Sequence, residues 1–474
     1  MTDKSSKNET EQKRGGWRAG ISRLVVVLGL ASLFTDISSE MIMPLRLLFL
    51  VQVLGTPLAV AGLIEGMAEG VTSILKLLTG RLADSPARRV PLVICGVALS
   101  NLIKPVLALV TSWPQALGIV LLDRSGKSIR GSPRDAMIAD STDTAHRGKA
   151  FGFHRGMDTL GAAIGPLAAV LILTLSQANL RAVFAWTALP GALAILVVLL
   201  FLRTPRTGAD KEAAAQPRPT PAIEIAAKGL RPPPLRGGGR QSPPSRTGTP
   251  DAPSAPEPIQ SVHVRAKASE LGARFWLFVA ISTVFALGNS SDAFIFLRTE
   301  GLEESLAAVP LLYFAFNVCY ALLATPLGAL SDRWGRLPVL LAGYAAFAVV
   351  YMGWATATQS WQAWWLFPFY AVYYAATEGV ARAFVGDLVP RARRGTALGW
   401  FNGLTGVSAI PANLLSGWLW VRWGPTAAFG FSAWAALVAL GLLLAWWPWL
   451  RRARPLVQQP DRRSETTRAI EPSS

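Results

Sequence analysis

The feature that most constrains this 474-residue chain is a set of about twelve apolar runs, each close to 20 residues long. They fall near 22–52, 57–78, 90–111, 114–134, 151–175 and 181–202, and again near 275–297, 306–327, 338–357, 361–386, 396–419 and 425–448. Roughly 20 apolar residues in a helix cross about 30 Å of hydrocarbon, and a spanning segment must satisfy its backbone internally. The expected fold class is therefore all-α and integral to the membrane. Composition agrees, with 51% of residues hydrophobic and 16% charged and a mean hydropathy of +0.36, too apolar for an ordinary soluble protein. The lipid bilayer is the first expected partner.

Two loops repeat one pattern. Gly80-Arg-Leu-Ala-Asp84-Ser-Pro-Ala-Arg88-Arg89 follows the second run, and Gly328-Ala-Leu-Ser-Asp332-Arg333-Trp-Gly-Arg336 follows the eighth at an offset of 248 (80 to 328). Arg134 and Arg382 keep that offset, whereas Asp140 and Asp387, and then Arg147-Gly148 and Arg394-Gly395, are 247 apart. Several matches in near-constant register indicate a duplicated unit. The domain reading is a tail at 1–20, a six-helix half at 21–203, a linker at 204–271, a second six-helix half at 272–450 and a tail at 451–474. The linker is rich in Pro, Arg, Gly and Ala without apolar periodicity, which predicts disorder.

The net charge of +17 invites a nucleic-acid reading that its distribution excludes. Arg and Lys cluster in both tails, in the linker and in the turns after the second, fourth, eighth and tenth runs. If spans alternate, all of these lie on one side, so the positive-inside rule predicts cytoplasmic termini and a place in the cytoplasmic (inner) membrane. No cleavable signal peptide is expected, because the first apolar run is too long and lacks a small-residue cleavage pattern. The two cysteines, Cys95 and Cys319, lie in separate runs. They imply neither a disulfide framework nor a metal site, and no cofactor is expected.

With two sets of six spans and these loops, residues 20–450 resemble the major facilitator superfamily. The resemblance implies the major facilitator fold, two six-helix halves related by pseudo-symmetry, and a conformational latch at the repeated loops. On this sequence the latch positions are Gly80, Asp84 and Arg88 in the first copy and Gly328, Asp332, Arg333 and Arg336 in the second. Ser85 and Ala87 stand where the family has Arg and Gly, which weakens the first latch. An Asp at one helix end can meet an Arg across the turn in a charge-assisted bond that holds one closed state. Gly161, Gly165 and Pro166 resemble part of the superfamily's antiporter motif, although Ala169-Val170 departs from it. Such residues serve helix packing, since small side chains let helices approach and Pro bends them. The match mildly favours export.

Ionisable groups within spans are costly and mark functional candidates. Asp36 and Glu40 lie four apart, on one helix face, near the middle of the first span. Glu65 and Glu69, with Lys76, repeat the device in the second. In the fourth span Asp123, Lys127, Arg130 and Arg134 form a polar stripe with Arg124 about a quarter-turn away; Arg124 with Gly126 and Gly131 also resembles, loosely, a superfamily motif associated with proton coupling. Lys104, His154, Arg155 and Asp158 add charges from the third and fifth spans. The second half is sparser, with Asn289, Asp292, Asn317, Glu378 and Arg382, beside the aromatic pair Tyr373 and Tyr374. A desolvated carboxylate can take up and release a proton as a cation approaches or leaves. Asp36 and Glu40, then Glu65 and Glu69, are the expected proton-coupling residues. Arg124, Lys127, Arg130, Tyr373, Tyr374, Glu378 and Asp292 are the expected substrate-binding residues.

The expected function is proton-coupled secondary transport by alternating access. The substrate is a small molecule, either a drug or a metabolite, and the cationic fourth span allows an anionic one. Export is mildly favoured; uptake of an anionic nutrient is the alternative. No Gly-x-x-x-x-Gly-Lys-Ser/Thr loop is present to bind a nucleotide, and a monomer is expected. A polytopic membrane enzyme would need a catalytic cluster near one surface, and no His/Cys metal spacing or Ser/His arrangement supplies one. A non-transporting sensor would need a signalling domain that the linker does not contain.

Overall fold

The computed structural model describes residues 21–82, 85–142, 146–202, 271–303, 305–390 and 393–451, all within one compact unit. Asp84, the linker residues 204–270 and both tails lie outside the described residues. Helices account for nearly all of what is described, and among the described residues there is no strand.

In the first half α1 (Arg23–Ile42) runs on through a short turn of helix and a π turn to Val53, and α2 is Leu58–Leu82. α3 (Pro86–Ile103) tightens into a 3-10 segment ending at Leu109, and α4 (Trp113–Asp140) and α5 (Arg147–Leu175) follow. α6 is Leu180–Trp186 continued by Ala188–Phe201. The second half has α7 (Ala273–Gly288, resuming at Ala293–Glu300), α8 (Ala308–Trp334), α9 (Arg336–Thr356) and α10 (Ser360–Leu388). A final stretch, Arg394–Val407 then Ala409–Ala445, is broken at Gly424. Gly424 has φ 81°, a conformation open to glycine without a Cβ penalty. The part before it is α11 and the part after it α12.

The starts of these helices follow local chemistry. The Ser22 hydroxyl accepts from the Val25 N–H at 3.3 Å, Asn179 caps α6 through the N–H of Arg181 and Ala182, and prolines occupy the first turns of α3 and α4, where a missing N–H costs nothing. Hydropathy and length alone pick out nine spans among the described residues, with α11 and α12 merged into one and α4 and α10 left out. Polar and aromatic residues interrupt the apolar windows of α4 and α10. Both are nevertheless continuous helices of membrane-spanning length, so their polar faces must be covered by protein or by water.

In the first half α1 packs on α5, and α4 packs on both α2 and α3; in the second, α9 packs on α10 and α12. The halves meet along α2–α11 and α5–α8. At the end of α2 remote from the termini the approach is backbone to backbone. A Cβ added to Gly62 would lie 2.5 Å from Asn413 O, and one added to Gly417 would lie 2.8 Å from Leu58 O. Leu47 to Leu50 and Phe294 to Phe296 are almost fully buried there. That side of the molecule is closed.

Candidate functional site

Both halves interrupt their first helix at matching positions. α1 breaks at Met43–Leu45, around Pro44, and α7 breaks at Asn289–Asp292, with residues 44 and 291 again 247 apart. Breaks in corresponding spans of a duplicated membrane protein direct attention to the site between the repeats. Each is followed by ionisable chemistry: Arg46 in the first half, Asp292 in the second.

Arg46 Nε donates to Glu65 Oε1 at 2.7 Å, and its Nη2 donates to Glu65 Oε2, a bidentate pair that is almost fully buried. Above it lies a cavity of about 110 Å³ whose lining includes Glu40, Arg46, Glu69, Lys104, Asp123, Arg124 and Lys127. Arg124 meets Glu69 at 3.6 Å, and Glu69 is half exposed although it lies midway along α2. Asp123 accepts from Ser100 Oγ at 2.6 Å. Lys104, 2% exposed, donates to Asn101 Oδ1 at 3.1 Å, Ser38 Oγ at 3.3 Å and Thr35 O at 3.4 Å. Lys127 faces Asp123, Glu40 and Asp36 but has no hydrogen-bonded partner among the described residues. The cavity thus combines committed ion pairs with donors that retain capacity.

The carboxylates of α1 rest on the glycines of α5. A Cβ at Gly161 would lie 2.8 Å from Leu33 O and 2.9 Å from Asp36 Cβ, and one at Gly165 would lie 2.7 Å from Glu40 Cβ. Pro166 is buried inside the same helix. Beside them His154 Nε2 meets Ser32 Oγ at 3.0 Å, while its Nδ1 is 3.4 Å from Asp158.

In the second half Asp292 Oδ1 accepts from Tyr370 OH at 2.6 Å, and Tyr374 OH lies 3.2 and 3.1 Å from the two carboxylate oxygens. Asn289 donates to Tyr373 OH at 2.9 Å. Tyr320 OH donates to Glu378 Oε2 at 2.9 Å, and Arg382 donates to Glu378 Oε1 at 3.2 Å. Besides the close packing of α2 on α11, polar side chains reach across between the halves. Tyr313 OH of α8 donates to Glu40 Oε2 of α1 at 2.7 Å, and Arg155 of α5 interacts with Tyr320 and Glu378. Lys76, Arg155 and Arg382 are exposed within their spans, so the gap between the halves opens toward the side of the termini.

Several sequence expectations are relocated by this geometry. Arg130 does not line the cavity: it is buried with Nη2 3.5 Å from Asp36, because its place on α4 points it at α1. Tyr373 is likewise buried, tilted against Phe285 and edge-on to Phe347. Glu65 is held by Arg46, a partner that the sequence reading did not weigh; a lone Arg after Pro44 in an apolar run was its available signal. Tyr313 carried no signal, being one aromatic residue among many.

At the repeated loops, Arg336 bonds Asp332 at 2.6 Å, Asp387 at 3.4 Å and Ser331 Oγ at 2.6 Å, while Arg333 is exposed and Gly328 has open space around it. The equivalent cation in the first half is Arg89, which bonds Asp140, and not Arg88, which is exposed. Both pairs span 51 residues. Arg89 and Arg336 are 247 apart, and Arg88, which the 248 offset aligns with Arg336, falls one residue off the helix phase that faces α4. Gly80 lies within the last turn of α2.

The sequence profile of the Major Facilitator Superfamily matches residues 28–309 and 277–472. An uncharacterized MFS-type transporter of Methanocaldococcus jannaschii is 31% identical over 430 residues, covering 90% of this chain and 94% of that protein. An uncharacterized protein of Mycobacterium tuberculosis is 27% identical over 420 residues, covering 86% and 89%. Among solved structures, a nucleoside transporter superposes with a TM-score of 0.64 at 14% identity, covering 89% of this chain and 99% of the other. A peptide transporter gives 0.65 at 16%, covering 90% and 95%. The twelve spans, the paired breaks and these matches agree: the chain is a multi-pass membrane transporter and belongs to the Major Facilitator Superfamily.

Proposed function

We propose that this transporter is a proton-coupled secondary carrier in which Glu40 is the principal coupling carboxylate and Asp36 its second. One observation carries the reading: Glu40 lines the cavity of the first half and accepts a hydrogen bond from Tyr313 of the second. A bond to an ionised carboxylate is about twice as strong as its neutral counterpart. Protonating Glu40 weakens the tie between the halves on the closed side and biases the molecule toward opening there. The groups that face Glu40 are Asp36 on its own helix, Lys127, Arg124 and Asp123 on α4, Glu69 on α2, and Arg46 and Lys104. Arg124 and Lys127 supply donors for an anionic group of a small-molecule substrate. Glu65, locked to Arg46, serves as a support for the cavity.

In this reading the termini are cytoplasmic in the inner membrane, the chain works as a monomer, the linker at 204–271 tethers the halves, and transport runs outward in exchange for protons. Uptake of an anionic nutrient is the second reading, favoured by the cations of α4. The test is flux in proteoliposomes under imposed pH gradients of each sign, using a labelled metabolite and drug panel. Glu40→Gln is expected to lose proton-driven flux while inserting normally. Unchanged flux with unchanged pH dependence removes Glu40 from the mechanism, and the sign of the effective gradient decides direction.

A further inference from the structure

The carboxylates within the spans are not equally provided for. Glu65 pairs with Arg46, Glu69 with Arg124, Asp36 with Arg130, Asp158 with His154 and Glu378 with Arg382. Asp292 differs. Its hydrogen bonds come from the phenols of Tyr370 and Tyr374, and the charged groups that act on it, Glu69 and Glu378, carry its own sign. It has no ion-pair partner among the described residues. A carboxylate in low dielectric surroundings needs a counter-charge, and phenols supply hydrogen bonds without one.

The walls around Asp292 are aromatic. Phe316 lies 5.3 Å from Tyr374 and 5.5 Å from Tyr370, centroid to centroid, and Tyr320 lies 6.1 Å from Tyr374. A carboxylate among ring faces is the chemistry that recognises an organic ammonium. The opposite complement faces it from the first half. Arg124 keeps a buried Nε without an acceptor and has Glu69, at 3.6 Å, as its ion-pair partner, while Lys127 beside it has no hydrogen-bonded partner among the described residues. Phe316, one of the rings around Asp292, also stacks on Tyr313 at 5.9 Å, and Tyr313 donates to Glu40 in the lining of the first-half cavity, so the two sites adjoin across the halves.

We infer that the substrate is a zwitterion bound across the halves, its ammonium at Asp292, Tyr370 and Tyr374 and its acid group at Arg124 and Lys127. This deepens the transporter reading and rests on it. Binding both ends at once ties the halves together through the cargo, which gives the loaded carrier a reason to change state that an amine or an acid alone does not supply.

The test uses the full chain in detergent and three probes on one scaffold: phenylalanine, 2-phenylethylamine and 3-phenylpropionate, with binding followed by calorimetry. Phenylalanine should bind tightest. Asp292→Asn should weaken phenylalanine and 2-phenylethylamine by about 10- to 100-fold, the loss of a hydrogen bond to a charged group, and leave 3-phenylpropionate within about twofold. Arg124→Gln should weaken the two acids and spare the amine. Asp292→Glu, which keeps the charge, should recover part of the amine affinity, separating lost recognition from lost folding. Equal weakening of all three probes by Asp292→Asn, an acid that binds as tightly as the zwitterion, or wild-type protein that binds none of them overturns the inference. If proton-driven flux of some other compound persists in that case, the carrier reading stands and only the substrate class falls. If no gradient drives flux of any compound, the carrier reading falls, whatever the probes bind.

Discussion

The two halves share a fold and a repeat but are filled with different chemistry. The first half is laced with charge: Arg46–Glu65, Arg124–Glu69, Arg130–Asp36 and His154–Asp158 all lie within its spans. The second is packed with rings, including Phe285 stacked on Tyr344 at 4.1 Å, Phe347 on Tyr351 at 3.8 Å, and Trp354 edge-on to Phe367 at 5.4 Å. Lipid tails are as apolar as a helix surface, so membrane helices are held by close packing and polar contacts and not by burial from water. The halves meet that demand in two ways. Ion pairs have alternative partners and can rearrange as protons and cargo come and go; stacked rings have one good arrangement. The comparison suggests that the first half changes its bonding during the cycle while the second provides a stiff wall.

The largest expected effects test what holds each half. Arg46→Ala strands Glu65 as a buried unpaired charge and should cost about 3–5 kcal/mol, whereas replacing both partners by apolar residues of similar volume should be near neutral. Phe347→Ala should cost a similar ~3–5 kcal/mol through the void it leaves. Thermal unfolding in detergent compares them, and an Arg46→Ala protein as stable as wild type would end the idea that pairs hold the first half.

Next come the seats of the coupling carboxylates. Gly165→Val forces side-chain atoms onto Glu40 and should cost about 1–3 kcal/mol; Gly161→Val should do the same beneath Asp36. The same substitution at Gly328, where there is open space, serves as the control, and equal losses at all three would show that the α1–α5 contact is not special. Comparable or smaller is Tyr313→Phe, which removes one hydrogen bond to a carboxylate between the halves, worth about 1.5 kcal/mol. It should make the pH dependence of flux shallower, and an unaltered pH profile would separate Tyr313 from coupling. The smallest effect belongs to the latch. Arg89→Ala should cost at most about 1 kcal/mol, since Asp140 is well exposed and exposed pairs are screened. Arg88→Ala should cost less still, and the reverse order in paired unfolding curves would restore Arg88 as the latch cation.

Much of this was legible in the chain. Twelve apolar runs, six on each side of the linker, set the spans to within a few residues, and the run near 114–134 marked α4 despite its charges. The repeated loops located the duplication, and the i, i+4 spacing put Asp36 with Glu40, and Glu65 with Glu69, on single faces. What spacing could not say was which face meets which. Arg130 and Lys127 lie on one stripe, yet one is buried on Asp36 and the other lines the cavity.

The sequence by itself determined the spans, the repeat, the family and the presence of charge at membrane depth, because each of these follows from hydropathy, period and register along one chain. Only the tertiary structure decided the partners. Tyr313 reaches Glu40 across 273 residues, Arg46 claims Glu65, Arg89 displaces Arg88, and Asp292 is left with phenols alone. Those outcomes depend on how far each helix is rotated about its axis against its neighbours, and that rotation is set by glycine contacts and chain breaks acting between helices, where no pattern within a single helix can record it.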